Sequence, residues 1–289
     1  MTLAAALSGW DTTILFADTE ETVGSYSTRM VDKLEVLDCP EFRLGITGAT
    51  SDASYSVMLQ SEIVNVLSRV SPFDLRVMKN RLTDCLTAFY AKHVWPRPGE
   101  SPRMDYLLVI QPIPSGFPEV VQVSETLATV VPHPHGSVTT VGVGSHLAEY
   151  LFKQILLDDP IPVNRGASLS FLCAAGMFVA EEVKENITGV GPVERVAIFD
   201  SQGTYDELCP VDIHDIQKTF RALREYFRYC FLDAMDVESP SSDSILEESE
   251  KNWIPDIRQE HQEWYERWNQ RREGRKLLGY FRDQKRNAS

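Results

Sequence analysis

Thr2 is the residue whose type and position point most directly to chemistry. A small residue after Met1 favours removal of the initiator methionine, which would make Thr2 the first residue of the chain. A free α-amino group has an ordinary pKa of about 7.7–8.0, so it is partly neutral near physiological pH and can accept the proton of the same residue's hydroxyl. Base and nucleophile then come from one residue, and the sequence predicts an N-terminal nucleophile.

Such a nucleophile needs a cation near its amine and hydroxyl, a carboxylate that orients the cation, and a backbone N–H for the oxyanion. Lys33, Asp18 and Gly48 are the candidates for these three roles, in that order. Asp18 ends the apolar run 13–18 and Gly48 follows the apolar run 42–47, so each is expected at the end of a strand.

Two histidines, His133 and His135, stand close together in a loop between predicted strands. Neither a carboxylate nor a cysteine beside them supplies a third ligand, which a zinc site would need. We therefore expect no metal site, and nothing in the sequence indicates a cofactor.

Composition and charge exclude several classes of protein. The chain has 289 residues, of which 43% are hydrophobic, enough for a core without disulfides. Its five cysteines are odd in number and contain no CxxC pair, which predicts reduced thiols. A net charge of −14 argues against a dedicated nucleic-acid binder, and the longest apolar stretch, 172–180, is shorter than the about 20 residues of a membrane span. We expect neither nucleic acid nor membrane as a partner.

The N-terminus gives an expectation about location. No basic segment precedes its first apolar residues, so export is not expected. The basic stretch 271–276 is similar to a nuclear address, although such stretches are more often solvated helix faces. The expected location is the cytoplasm, with the nucleus as a second one.

The hydrophobic pattern alternates groups of strands with pairs of helices. Helices are predicted around 58–67, 75–90, 145–156, 167–183 and 212–235. Strands are predicted at 2–8, 13–18, 42–47, 106–110, 120–123, 127–131, 138–143, 193–199 and 204–208. This order predicts an α+β fold, a four-layer αββα sandwich in which helix layers cover two antiparallel sheets, with a C-terminal helical extension.

Charge is segregated near the C-terminus. Residues 236–250 contain six acids and no base, which predicts an acidic flexible linker between a domain at 1–235 and a tail at 251–289. The tail has ten basic and six acidic residues, and its apolar positions, Trp264 and Trp268 among them, fall close to a heptad stripe. It is predicted to be an amphipathic helix that docks either on a neighbouring subunit or on its own domain.

Short motifs surround the candidate residues in one order along the chain. They read F-A-D-T at 16–19, T-V-G at 22–24, V-D-K-L at 31–34 and L-G-I-T-G-A-T-S-D at 44–52. These segments resemble the A-D-S, T-x-G, V-K-K-V and L-G-x-x-A-G-G-x-x-D segments of proteasome β-type subunits and their simpler bacterial relatives. That family belongs to the N-terminal-nucleophile hydrolase superfamily.

The resemblance implies roles for named positions. Thr2 matches the catalytic threonine, Asp18 and Lys33 match the catalytic aspartate and lysine, and Gly48 matches the residue that supplies the oxyanion N–H. It further implies a substrate-binding role for Thr22 and a pocket shaped near Glu21, Ile46 and Thr50, with a basic or apolar side chain preferred beside the cleaved bond.

Two positions depart from the family pattern. Residues 140–145 resemble its V-G-S-G-S turn and residues 185–193 its D-x-x-S-G-G-x-V segment. Val143 stands where active members carry a serine, and Glu185 stands where they carry the aspartate that bonds it. The accessory proton relay is therefore altered, because an alkyl side chain cannot form a hydrogen bond. Glu185 remains a candidate catalytic residue through this match.

The function expected from this resemblance is that of a threonine-type endopeptidase acting on peptides or unfolded proteins, assembled as a homo-oligomer or proteasome-like ring. A noncatalytic proteasome-like structural or interaction subunit is the alternative that Val143, Glu185 and the long tail favour. An amidase that acts on a small molecule would use the same nucleophile and stays open.

Overall fold

The computed structural model describes residues 2–23, 27–97, 102–132, 137–157, 168–220, 259 and 262–271. The helices of the first unit are α1 Ala53–Leu67, α2 Leu75–Phe89, α3 Ser145–Leu157 and α4 Leu169–Asn186, and a π-helical turn, Tyr90–Val94, follows α2. The strands are β1 Leu3–Ser8, β2 Thr12–Asp18, β3 Glu20–Val23, β4 Ser27–Met30, β5 Glu35–Asp38, β6 Phe42–Thr50, β7 Met104–Pro112, β8 Glu119–Ser124, β9 Leu127–Val130, β10 Val138–Gly142, β11 Val193–Asp200 and β12 Tyr205–Leu208.

The first sheet has the strand order β10-β1-β2-β11-β12, and its neighbouring strands are antiparallel. Every residue of β1 and β2 is buried, because this sheet is covered on both faces. On one face α4 packs so closely that a β-carbon at Gly176 would lie 3.0 Å from the ring of Phe16. Continuous apolar strands are the expected sequence signature of a sheet covered on both sides.

The second sheet has the order β5-β6-β7-β8-β9 and is also antiparallel. The residues of strand β6 show which face of this sheet packs on helices and which faces the first sheet. Leu44 and Ile46 lie in the core with α1 and α2, whereas Ala49 belongs to the core between the two sheets. Gly45 faces the first sheet as well, since a β-carbon there would come within 3.1 Å of the Leu15 side chain.

The helices begin where the sequence provides capping side chains. Asp52 accepts a hydrogen bond from the Ser54 N–H at 2.8 Å and caps α1, as its type and place predict. Asp74 caps α2, and Ser168 caps α4.

The layer order is helices, sheet, sheet and helices, so the predicted αββα sandwich with its two antiparallel sheets is confirmed. Three short strands between residues 20 and 38 were not predicted. Strands β3 and β4 form a separate two-stranded sheet, and β5 is a half-exposed edge strand. Their sequences are short and polar, so no apolar alternation indicates them.

Contacts along the chain divide it into two units, Met1–Cys209 and Pro210–Ser289. In the second unit, residues 210–220 and 262–271 are helical. Arg271 forms a salt bridge with Asp212. Trp264 and Trp268 stack with ring centroids 6.3 Å apart, and both are buried within the single chain. Burial of these tryptophans therefore needs no neighbouring subunit.

The predicted boundary at residue 235 and the predicted linker 236–250 lie outside the described residues and stay predictions. The same holds for most of the predicted tail, of which residues 259 and 262–271 are described. Among the helices of the described ranges, none combines the length and the apolar character that crossing a membrane would require.

Candidate active site

Asp18 ends β2 as a fully buried carboxylate surrounded by backbone donors. One oxygen, Oδ1, accepts from the N–H of Leu3 at 2.8 Å. The other, Oδ2, accepts from the N–H of Gly191 at 2.9 Å and of Glu20 at 3.1 Å. Three backbone donors from separate segments thus fix this carboxylate in one orientation and compensate for its removal from water.

Lys33 lies in the loop between β4 and β5 and extends its amine to this carboxylate. Nζ is 3.1 Å from Oδ1 and 3.2 Å from Oδ2 of Asp18, and it also donates to the carbonyl of Glu20. Nζ also donates to the hydroxyl Oγ1 of Thr2 at 2.9 Å. The amine therefore connects the buried carboxylate to the candidate nucleophile.

Burial and neighbouring charges act on the pKa of this amine in opposite directions. Burial lowers the pKa of Lys33 below its ordinary value of 10.5, because a charged amine loses hydration there. The carboxylate of Asp18 acts in the other direction, through its charge and its hydrogen bond, and the charges of Glu21 and Glu20 add to it. A cation held this way can stabilise an alkoxide on the adjacent hydroxyl.

Thr2 precedes β1 and is nearly enclosed, with 5% of its surface exposed. Gly142, the last residue of β10, contacts it directly. Gly142 has a backbone φ of +102°, and a β-carbon at that position would lie 2.0 Å from the carbonyl oxygen of Thr2 and 3.2 Å from the Ala49 side chain. Only glycine allows this approach. Thr2, Asp18 and Lys33 are brought together as the sequence predicts.

Gly48 is paired with Tyr106 across β6 and β7. A β-carbon at this position would lie 2.4 Å from the Tyr106 ring and 2.9 Å from the carbonyl oxygen of Asp105, so packing requires glycine here. The next residue, Ala49, faces Gly142 at the side of Thr2. Gly48 thus precedes in sequence a residue that lies beside Thr2. Its role as an oxyanion donor stays a prediction.

The four predicted substrate-binding residues lie in different environments. Glu21 is half-buried in β3, and Thr22 follows it in the same strand, but its side chain is outside what the structure describes. The hydroxyl of Thr50 donates to the carbonyl of Asp52 at 2.9 Å, where β6 leads into α1. Ile46 is fully buried in the core beneath α1 and α2, so its side chain is inaccessible to a ligand in this structure.

The two departures from the family pattern are both on the surface. Val143 is 46% exposed in the turn next to Gly142. Glu185 is exposed in the last turn of α4, unlike the buried Asp18. The structure therefore does not bring Glu185 into the buried cluster formed by Thr2, Asp18 and Lys33.

Some groups at the site were not singled out from the sequence. They are the N–H groups of Leu3, Glu20 and Gly191 on Asp18, the carbonyl of Glu20 on Lys33, and the close approach of Gly142. Backbone groups carry no residue-type signal. Glycines in the sequence could have indicated these close backbone approaches. Gly191 is an example, since a β-carbon there would lie 2.4 Å from Cβ of Glu20. His133 and His135 lie outside the described residues, so the expectation of no metal site there stays a prediction.

No protein-family model matches this sequence, and no curated protein matches it. Solved structures resemble its fold at low sequence identity. Anbu from Hyphomicrobium sp. strain MC1, as a Gly-1 mutant, is 13% identical with a TM-score of 0.60, and the match covers 83% of this chain and 100% of that one. Anbu (ancestral beta-subunit) from Yersinia bercovieri is 12% identical with a TM-score of 0.59, covering 78% of this chain and 96% of that one.

A third structure, of the helical assembly of the Anbu complex from Pseudomonas aeruginosa, is 12% identical with a TM-score of 0.59 and covers 83% of this chain and 99% of that one. At such identities the likeness concerns the fold alone. The chain thus shares the four-layer α+β sandwich fold of the Anbu structures.

Proposed function

We propose that the protein is a proteasome-like threonine peptidase, which hydrolyses peptide bonds through the hydroxyl of Thr2 after Met1 has been removed. The observation that carries this proposal is the hydrogen bond from Nζ of Lys33 to Oγ1 of Thr2 at 2.9 Å, beside the fully buried carboxylate of Asp18. A lysine amine between a hydroxyl and an oriented carboxylate is the arrangement that an activated nucleophile needs.

The proposed reaction has two stages. The neutral α-amino group of Thr2 takes the proton from Oγ1, which attacks the peptide carbonyl carbon, while the ammonium of Lys33 stabilises the developing negative charge. The N–H of Gly48 is proposed to bind the oxyanion. The tetrahedral intermediate expels the amine, which carries away that proton, and leaves an ester on Thr2. Water then hydrolyses the ester, with the α-amino group again as the base.

The substrates are proposed to be peptides or unfolded proteins, with Glu21, Thr22 and Thr50 near the pocket. The protein is proposed to act in an oligomer in the cytoplasm, with the nucleus as a second location. Support for an oligomer comes from the shared fold with Anbu of Pseudomonas aeruginosa, whose structure is that of a helical assembly. Sedimentation of the purified full chain tests this: a monomer at every concentration contradicts it.

A noncatalytic proteasome-like subunit is the second candidate, and two observations favour it. Val143, exposed beside Gly142, cannot take part in a proton relay, and Glu185 is exposed rather than joined to the buried cluster. A protein with this function would keep the sandwich for assembly while the Thr2 hydroxyl did no chemistry.

Intact mass and covalent labelling separate the two candidates. The purified protein is first weighed, since loss of one methionine residue is required for a free Thr2 amine. It is then treated with an epoxyketone, which reacts with both amine and hydroxyl of an N-terminal threonine, and compared with Thr2→Ala. Catalysis predicts a stoichiometric adduct that Thr2→Ala abolishes. Retention of Met1, or no Thr2-dependent adduct, supports the noncatalytic subunit.

A further inference from the structure

Arg195 contacts both residues that flank Lys33. Its Nη1 donates to the carboxylate of Asp32 and, at 3.0 Å, to the carbonyl of Leu34. Asp32 itself accepts from the N–H of Leu34 at 3.1 Å, which closes a small turn around the lysine. One guanidinium nitrogen therefore binds the chain immediately before and immediately after Lys33.

The other side of the guanidinium is fixed to the first sheet. Nη2 of Arg195 donates to Oε1 of Glu207 at 2.7 Å, and that oxygen also accepts from the hydroxyl of Tyr205. Arg195 is in β11, where the pairing with β2 shifts register between Val193 and Val196. Such an irregularity in a strand can change the direction of a side chain. The same strand pairs Val193 with Asp18, the carboxylate that Lys33 contacts.

We propose that Arg195 is a positioning residue for Lys33: by binding Asp32 and Leu34 it fixes the loop so that the lysine amine stays on Asp18 and Thr2. The inference rests on the proposed function for its catalytic consequence. Within the described residues, the bond from the Val31 N–H to the Thr19 carbonyl at 2.7 Å and the buried side chain of Leu34 also restrain the loop.

A contribution to stability alone is a weaker explanation of this network. Asp32 is 54% exposed and Arg195 33% exposed, and ion pairs this accessible to water contribute little to the free energy of unfolding. A planar guanidinium can hold three acceptors in a fixed geometry, whereas a lysine ammonium is a point charge on a flexible stem. The arrangement is thus better suited to fix a direction than to stabilise the fold.

The test uses the full chain with Arg195→Lys, which keeps the charge but loses the fork of donors, and Arg195→Met, which loses both. Lys184→Met is the matched control, because Lys184 is 34% exposed and pairs with Glu181 in α4 at 3.4 Å. Two quantities are measured below the unfolding temperature of each variant. They are the rate of Thr2 adduct formation with an epoxyketone and the titration of Lys33, followed by NMR with [ε-13C]lysine and assigned with Lys33→Arg.

Both Arg195 variants are expected to form the adduct roughly tenfold to a hundredfold more slowly, since a misplacement of about 1 Å has effects of this size. The pKa of Lys33 is expected to rise toward its ordinary value of 10.5, because a loosened amine regains water, although Asp18, Glu20 and Glu21 still face it. Lys184→Met should change neither quantity.

Arg195→Lys with the wild-type adduct rate and the wild-type Lys33 titration would overturn the inference and leave the proposed function intact. If the wild-type protein forms no Thr2 adduct, the proposed function fails, and the Lys33 titration alone decides the positioning role. A titration that shifts in both Arg195 variants then supports positioning, and one that stays unchanged refutes it.

Discussion

Gly142 lies against the backbone of Thr2, so closely that a β-carbon at position 142 would come within 2.0 Å of the Thr2 carbonyl oxygen. Its φ of +102° is a conformation that residues with a β-carbon rarely adopt. The end of β10 therefore limits how far the start of β1 can move. This contact connects a backbone requirement to the position of the candidate nucleophile.

Gly142→Ala is expected to displace Thr2 and slow epoxyketone adduct formation by about 100-fold, because the reacting atoms lose their alignment. Strain at this φ should also lower the free energy of unfolding by about 1–3 kcal/mol. Gly203→Ala is the control, since Gly203 has a φ of +77° and its β-carbon would lie 2.2 Å from the carbonyl oxygen of Pro114. It should lose similar stability and keep the adduct rate per folded molecule. A wild-type rate in Gly142→Ala would contradict the predicted displacement.

Lys33→Met is expected to abolish the adduct and to destabilise the protein by about 3 kcal/mol, because it leaves the buried carboxylate of Asp18 without its cation. Urea unfolding measures the stability and mass spectrometry the adduct. Lys184→Met removes a more exposed cation from Glu181 and should cost under about 1 kcal/mol. Equal losses in the two variants would mean that the Lys33–Asp18 pair has no special energetic role.

The pH dependence of labelling should be bell-shaped. The acid limb reports the α-amino group of Thr2, which must be neutral and has an ordinary pKa of about 7.7–8.0. The alkaline limb reports loss of the proton of Lys33, and it should fall below pH 10.5, because burial lowers the pKa of this amine. In the same interval the folded state binds fewer protons than the unfolded state, so the contribution of Lys33 to stability rises with pH.

Lys33→Arg checks this assignment, because a guanidinium stays charged across the whole range. Any residual labelling in this variant should lack the alkaline limb. An alkaline limb at or above pH 10.5 in the wild type, or the same limb in Lys33→Arg, would mean that a group other than Lys33 produces it.

Much of the fold follows from the sequence because its strands and helices bury continuous or periodic apolar faces. β1 and β2 are fully buried and their apolar runs predict them, whereas β3, β4 and β5 are short and polar and give no such signal. The helix caps also follow from residue type, as Asp52 shows. The hydrophobic pattern does not predict the register shift in β11, because that shift depends on contacts with residues distant in sequence.

The site was predictable to the extent that side chains define it. Thr2, Asp18 and Lys33 are brought together because β1 and β2 are adjacent and the β4–β5 loop returns to them. Ile46 shows the opposite case: the alternation along β6 directs its side chain into the helix-facing core. Alternation alone cannot say which face of a doubly covered strand meets a ligand.

The tail provides a test of stability that does not depend on catalysis. Trp268 is fully buried within the single chain, whereas Trp95, after the π-helical turn, is 59% exposed. Trp268→Ala is expected to lower the free energy of unfolding by about 3–5 kcal/mol, and Trp95→Ala by less than about 1 kcal/mol. Urea unfolding followed by far-ultraviolet circular dichroism measures both, over a series of protein concentrations. A Trp268→Ala effect as small as that of Trp95→Ala would contradict burial of Trp268 within the single chain. An effect that appears only at high protein concentration would show instead that a neighbouring subunit covers this tryptophan.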